Sequence, residues 1–217
     1  MFKKKLYYFL GVLTVVAIVS IAYYTPLAGF IFAVFILTLS IITALITAIK
    51  YFQKKSVKKI LKYYFIFLFL LLLGILLDLL KPYPEVTLAN TNSITEKISH
   101  LYDTDQYDRK NLKSYLFSDN AVLISSRDSI RLEFAYSIFR EYQTMNLNLT
   151  PEEKYKLAMI FHHGKTSIDY EIAHTLAKEA YNQNNKLQNA EWLMKASYDR
   201  LQLSIGKPQK YGTQRLK

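Results

Sequence analysis

The chain has no cysteine, six glycines, five prolines and one tryptophan in 217 residues. Without cysteine there are no disulfides, thiol nucleophiles or cysteine-ligated zinc, and any folded part must hold together by packing alone. Carboxylates are almost missing from the first 80 residues, where Asp78 stands by itself. No glycine falls between Gly74 and Gly164, and β-branched alternations are few. Both absences disfavour sheet and point to an all-α chain.

The mean hydropathy is near zero, but it averages two unlike halves. Leu6–Tyr24 is an uncharged run, and at about 1.5 Å per residue it is long enough for a hydrocarbon core of roughly 30 Å. It exceeds the usual apolar region of a signal peptide and more runs follow, so an uncleaved span is expected. A second uncharged run covers residues 26–49, with Pro26 expected in its first turn, and a Leu-rich third covers 63–80. Three transmembrane helices are therefore expected in residues 1–80. Tyr7, Tyr8, Tyr23, Tyr24, Tyr51, Tyr63, Tyr64 and Tyr83 sit at their ends as an aromatic belt would. No charge lies near the span centres, which argues against a transport pathway. Thr14, Ser20, Thr38, Ser40, Thr43 and Thr47 are expected to bond carbonyls of their own helices or to mark close helix contacts.

The formal charge of +11 is concentrated beside these runs: Lys3, Lys4 and Lys5 precede the first, and Lys50, Lys54, Lys55, Lys58, Lys59 and Lys62 surround the second loop. Basic loops stay inside, so the N-terminus is expected in the cytoplasm and the C-terminal domain outside it, in a multi-pass cell-membrane protein. Residues 81–217 carry only +3. Membrane lipid is the expected partner, and nucleic acid is not.

Lys81-Pro82-Tyr83-Pro84 cannot continue a helix and opens a linker over residues 81–93. Residues 94–217 read as a helical soluble domain. Thr150-Pro151-Glu152-Glu153 forms a capping box for a helix through His162, ended by Gly164. Ile168, Ile172, Ala173, Leu176, Ala177 and Ala180 make one apolar face, and a further helix is expected from about Gln188 to Ser204, broken at Gly206-Lys207-Pro208. The two resemble a hairpin of a TPR-like or Sel1-like array, without a repeat of fixed period.

Few polar groups stand out by spacing. Asp103 to Lys110 reads as a solvated face with pairs such as Asp105 and Arg109, and Arg127, Asp128 and Arg131 read as a helix start with its charge partners. His162 and His163 point about 100° apart on a helix, outside any metal motif, so no metal is expected. Asp199-Arg200 followed by Gly206 to Gln214 is denser in turn residues and amides than a frayed terminus would be.

Asp105-Gln106 with Arg109, Ala158-Met159-Ile160-Phe161-His162-His163-Gly164, Asp169-Tyr170 with Ala173-His174, Ala190-Glu191-Trp192-Leu193, Asp199-Arg200, Gly206-Lys207-Pro208-Gln209 and Tyr211-Gly212-Thr213-Gln214 run in this order. In this pattern, residues 100–214 resemble the uncharacterised bacterial domain-of-unknown-function 6624 family, most specifically in the final block. That family usually has Gln where His162 stands, so His162 departs from the pattern and His163 fits it. The resemblance implies a helical domain whose polar residues converge; it brings no activity, substrate or cofactor. Two readings of the convergence stay open. In one, Arg109 and Arg200 clamp an anion, His163 moves a proton, Asp199 orients a partner, and Gly212, Thr213 and Gln214 supply amide contacts. In the other, Asp199, Arg200, Gln209, Tyr211 and Gln214 lock the C-terminus onto the bundle. The leading functional expectation is an extracytoplasmic module that binds a protein or peptide. The alternative is a hydrolase or transferase using His163 and Arg200 on an anionic or amide substrate.

Overall fold

A computed structural model describes residues 2–89, 91, 93–117, 119–187 and 189–215, with backbone only for residues 2–8. Among them every regular element is helical: α1 (Phe2–Tyr24), α2 (Ala28–Phe52), α3 (Lys58–Leu80), α4 (Ile94–Lys110), α5 (Lys113–Leu116), α6 (Asp119–Thr144), α7 (Pro151–His162), α8 (Ser167–Gln183) and α9 (Ala190–Ser204). The all-α expectation holds. The side chains of Lys3, Lys4, Lys5, Tyr7 and Tyr8 and the expected helix start at Gln188 lie outside the described residues.

The chain divides into two compact units, the first running to Tyr83 and including Arg109–Asn120, the second made of Pro84–Asp108 and Ala121–Lys217. In the first unit, α2 and α3 are long and apolar enough to cross a membrane, and α1 carries a shorter apolar stretch, Phe9–Tyr24. Only 17% and 6% of the most apolar windows of α2 and α3 are buried. A core helix of a water-soluble protein would have most of that surface covered. The buried apolar cluster between the three helices is a thin seam of Ile18, Ala22, Ala28 and Phe32, backed by Leu70, Leu71 and Ile75. Gly74 makes the seam possible, since a Cβ there would lie 2.7 Å from the Phe32 ring.

Helix α2 starts at Ala28 with Leu27 as its N-cap, so Pro26 sits in the turn before the helix and not in its first turn. Asp78 is 1% exposed and accepts the Gly29 backbone N–H at 3.1 Å. A carboxylate at the start of a helix satisfies one of its orphan donors. Thr14, Thr38 and Ser40 bond the carbonyls of Leu10, Val34 and Ile36 one turn back, as expected, and Ser40 also meets the Tyr64 hydroxyl at 2.9 Å.

In the second unit, Ile98 and Leu101 of α4, Ala135 and Ile138 of α6, Leu157 and Phe161 of α7, Ala173, Leu176 and Ala177 of α8 and Leu193 of α9 close one core. The Phe161 ring meets Tyr136 and Phe139 edge-on. α8 packs along α7 on one side and α9 on the other. The capping box at Thr150 and Glu153 forms as expected, and a second, not foreseen, joins Thr166 and Asp169 at the start of α8. Ile168 leaves the expected apolar face of α8 and is 60% exposed. The linker is not a bare spacer: Val86 is buried, Leu88 packs on the core and the Pro84 carbonyl accepts from Arg127. Helix α6 begins well before Arg127, so Arg127, Asp128 and Arg131 sit in mid-helix rather than at a helix start.

Candidate functional site

The C-terminal tail returns onto α9. Gly206 and Gly212 take positive φ values of 74° and 66°, which side chains with a Cβ rarely adopt. These turns aim successive backbone N–H groups at Asp199, a fully buried carboxylate one turn from the end of α9. Asp199 Oδ1 accepts from the Lys210 and Tyr211 amides at 2.9 Å each. Its Oδ2 accepts from the Thr213 amide and hydroxyl, both at 2.8 Å. Burial pushes this carboxyl upward in pKa, but the Thr213, Tyr211 and Lys210 donors outweigh it and hold it below the ordinary range.

The neighbouring residues complete the lock. Gln209 and Gln214 exchange two bonds: the Gln209 side-chain amide donates to the Gln214 carbonyl at 2.8 Å, and the Gln214 N–H donates back to Gln209 Oε1 at 2.7 Å. Arg200 Nε donates to Gln214 Oε1 at 3.0 Å, and its Nη1 donates to the His162 carbonyl at the end of α7. Gln214 Nε2 donates to the Ala196 carbonyl at 3.3 Å. The Tyr211 ring rests against Tyr198 and stays 40% exposed.

His163 caps α7 and faces elsewhere. Its Nδ1 lies 3.0 Å from Asp105 Oδ1 on α4; the carboxylate is 1% exposed and the imidazole 17%. The Asp105 carboxylate orients the ring through this nitrogen. Gln106 steadies the dyad by donating to Asp105 Oδ2 at 2.9 Å. His163 borders a cleft of about 270 Å³ with Asp128, Ser129, Leu132 and Tyr136 of α6 and Gly164, Lys165, Thr166 and Asp169.

The turn from α7 to α8 that shapes this cleft is tied by Asp169. Its Oδ2 accepts from the Lys165 and Thr166 amides at 2.9 and 2.8 Å, and its Oδ1 accepts from the Tyr136 hydroxyl. Burial raises the Asp169 carboxyl, but Tyr136, Thr166 and Lys165 together hold it below the usual range; burial and the same bond push the Tyr136 phenol up to about 12. Gly164 is required by this closeness and not by a left-handed φ, since a Cβ there would lie 2.4 Å from the Asp169 Cβ. Gly164→Ala is therefore expected to cost about 1–3 kcal/mol. Thermal unfolding of the detergent-solubilised chain checks it; an unchanged midpoint would mean that Asp169 gives way freely.

Spacing did not single out the most buried polar cluster. Arg131 is fully buried on α6. Its guanidinium donates to Asp108, to Asp128 at 2.7 Å, and to the Thr104 hydroxyl and carbonyl at 3.1 and 3.0 Å. Arg127 reaches the same Asp108 at 2.6 Å. Asp105 and Asp108 are thus interior residues, a correction to the solvated face expected for 103–110.

Of the sequence-named residues, Asp199, Arg200, Gln209, Tyr211, Gly212, Thr213 and Gln214 come together in the tail, and Asp105, Gln106 and His163 form a separate group. Arg109 closes α4 and belongs to the first unit, where its carbonyl accepts the Tyr115 hydroxyl at 2.9 Å. Among the described residues no group of three or more His, Cys, Asp or Glu is placed to hold a metal ion. Scans of family models, of curated proteins and of solved structures each found no match to this chain.

Proposed function

We propose that the chain is a membrane-anchored interaction module: three spans, an N-terminus in the cytoplasm, and a TPR-like helical domain outside it that binds a protein or peptide. The anchor is supported by the uncovered apolar surface of α2 and α3, and the orientation by the lysines around the second loop. The observation that carries a binding over an enzymatic role is the closure of the tail. Asp199, Arg200 and Gln214 are engaged with one another's neighbours, so the guanidinium required to hold an anionic substrate is already committed. Ile168 on α8 and Trp192 on α9, 60% and 50% exposed, are large apolar side chains left uncovered for a partner.

A hydrolase or transferase is the second reading, favoured by one observation: the Asp105–His163 pair borders a cleft, and a carboxylate that orients a histidine is an arrangement used for proton transfer. A photo-reactive amino acid substituted at Ile168 or Trp192 separates the two in intact cells. The binding reading expects discrete protein adducts from these positions and none from exposed Glu133 of α6. Absence of adducts at both would remove it and leave the cleft as the working site.

A further inference from the structure

We infer that residues 115–117 form an interfacial foot that dips into the lipid headgroup layer beside the anchor. This rests on the membrane-spanning reading of α2 and α3. The segment Arg109–Asn120 packs within the first unit, and its attachments lie where α2 begins and α3 ends. The Tyr115 ring stands edge-on to Phe30 in the first turn of α2, with centroids 5.3 Å apart. Leu112 lies against Gly29, so closely that a Cβ on Gly29 would come within 2.7 Å of it. Lys113, 7% exposed, donates to the Lys81 carbonyl just past α3 and sits 3.7 Å over the Tyr83 ring. Ser114 meets the Tyr83 hydroxyl at 3.2 Å, and Asn120 ties the far end back to the Lys113 carbonyl at 2.6 Å.

These bonds fix the height of the segment at the ends of two apolar helices. Its Tyr115, Leu116 and Phe117 nevertheless remain 69%, 57% and 53% exposed. Three consecutive large apolar side chains facing water are costly, whereas at the boundary of headgroups and acyl chains the same residues are favoured. A tyrosine and a phenylalanine near the exposed Lys110 match the aromatic and basic composition of an interfacial segment. The occupant is therefore the bilayer itself, continuous with the lipid around α2 and α3.

Because the chain has a single tryptophan, the full-length protein can report on this directly. In a Trp192→Phe background, Phe117→Trp and, separately, Leu72→Trp on the exposed side of α3 are reconstituted into phosphatidylcholine vesicles, with or without lipid brominated high on the acyl chain. Emission from the Phe117→Trp protein is expected to be blue-shifted and quenched by the brominated lipid. Emission that ignores bromine and is quenched by aqueous acrylamide overturns the foot and leaves the anchor standing if Leu72→Trp is quenched. Emission that ignores both quenchers means protein covers the patch, which also overturns it. Leu72→Trp unquenched by bromine removes the membrane-spanning reading and the foot with it.

Discussion

Arg131→Met is expected to destabilise the second unit by about 3–5 kcal/mol, the range for removing one member of a buried ion pair. The substitution keeps an apolar stem of similar length and removes the guanidinium. Asp108, fully buried, would keep Arg127 but lose its closest donor, while the Thr104 hydroxyl and carbonyl would lose theirs. A loss of that size is a large part of the whole stability of a small domain, about 5–15 kcal/mol. The control is Arg140→Met on the same helix, an exposed arginine whose change should stay within about 0.5 kcal/mol. Urea unfolding of the detergent-solubilised chain followed by circular dichroism reads both; a cost under about 1 kcal/mol for Arg131→Met would show that the cluster is dispensable.

Asp199→Asn should release the tail. One carboxylate accepts four hydrogen bonds from three residues, and an amide nitrogen in place of either oxygen meets N–H groups it cannot accept from. The expected cost is about 1–3 kcal/mol, the range for losing hydrogen bonds to a charged acceptor. Its location makes it specific: trypsin should cut between Lys210 and Tyr211 in the variant much faster than in the parent, with the helices intact. Equal cutting rates would show that the tail is held by Gln209, Arg200 and Gln214 alone.

The same carboxylate makes a pH prediction. A depressed folded pKa contributes stability that is present above the unfolded value of about 3.9 and is lost as pH falls through the folded value. Asp199 and Asp169 are both depressed, so acid should free the tail and loosen the turn between α7 and α8 together. Tryptic release of the tail that rises as pH increases above neutrality, rather than after brief acid exposure, would contradict this assignment.

The legible parts of the fold were those set by local chemistry. Thr150-Pro151-Glu152-Glu153 announced α7 because a hydroxyl, a missing amide donor and a carboxylate each satisfy one helix terminus. The same logic holds for Thr166 and Asp169, three residues apart at the start of α8. The early start of α6 was hidden by its serines. Ser126 and Ser129 return their hydroxyls to the carbonyls of Leu123 and Ser125, which lets a serine-rich stretch remain helical.

What spacing could not reveal was pairing between helices. Thr104 and Asp108 are one turn apart on α4, as Arg127 and Arg131 are on α6, and each pair alone looks like a solvated stripe. Only their apposition buries Thr104, Asp108 and Arg131 and covers most of Arg127. The tail was partly legible, since Gly206 and Gly212 signal turns. That Asp199 would be the hub and Arg200 a strut toward the end of α7 depends on how the chain folds back.

The central claim is an anchor with the helical domain on the outer face, and the lack of native cysteine makes single-cysteine labelling its most direct test. Ser56→Cys lies in the exposed loop between α2 and α3, and Asn185→Cys between α8 and α9; neither removes a charge that sets topology. With a membrane-impermeant maleimide on intact cells or spheroplasts, Asn185→Cys is expected to label at once and Ser56→Cys only after lysis. The reverse pattern, or labelling of both only after lysis, would contradict the orientation and place the helical domain among cytoplasmic partners.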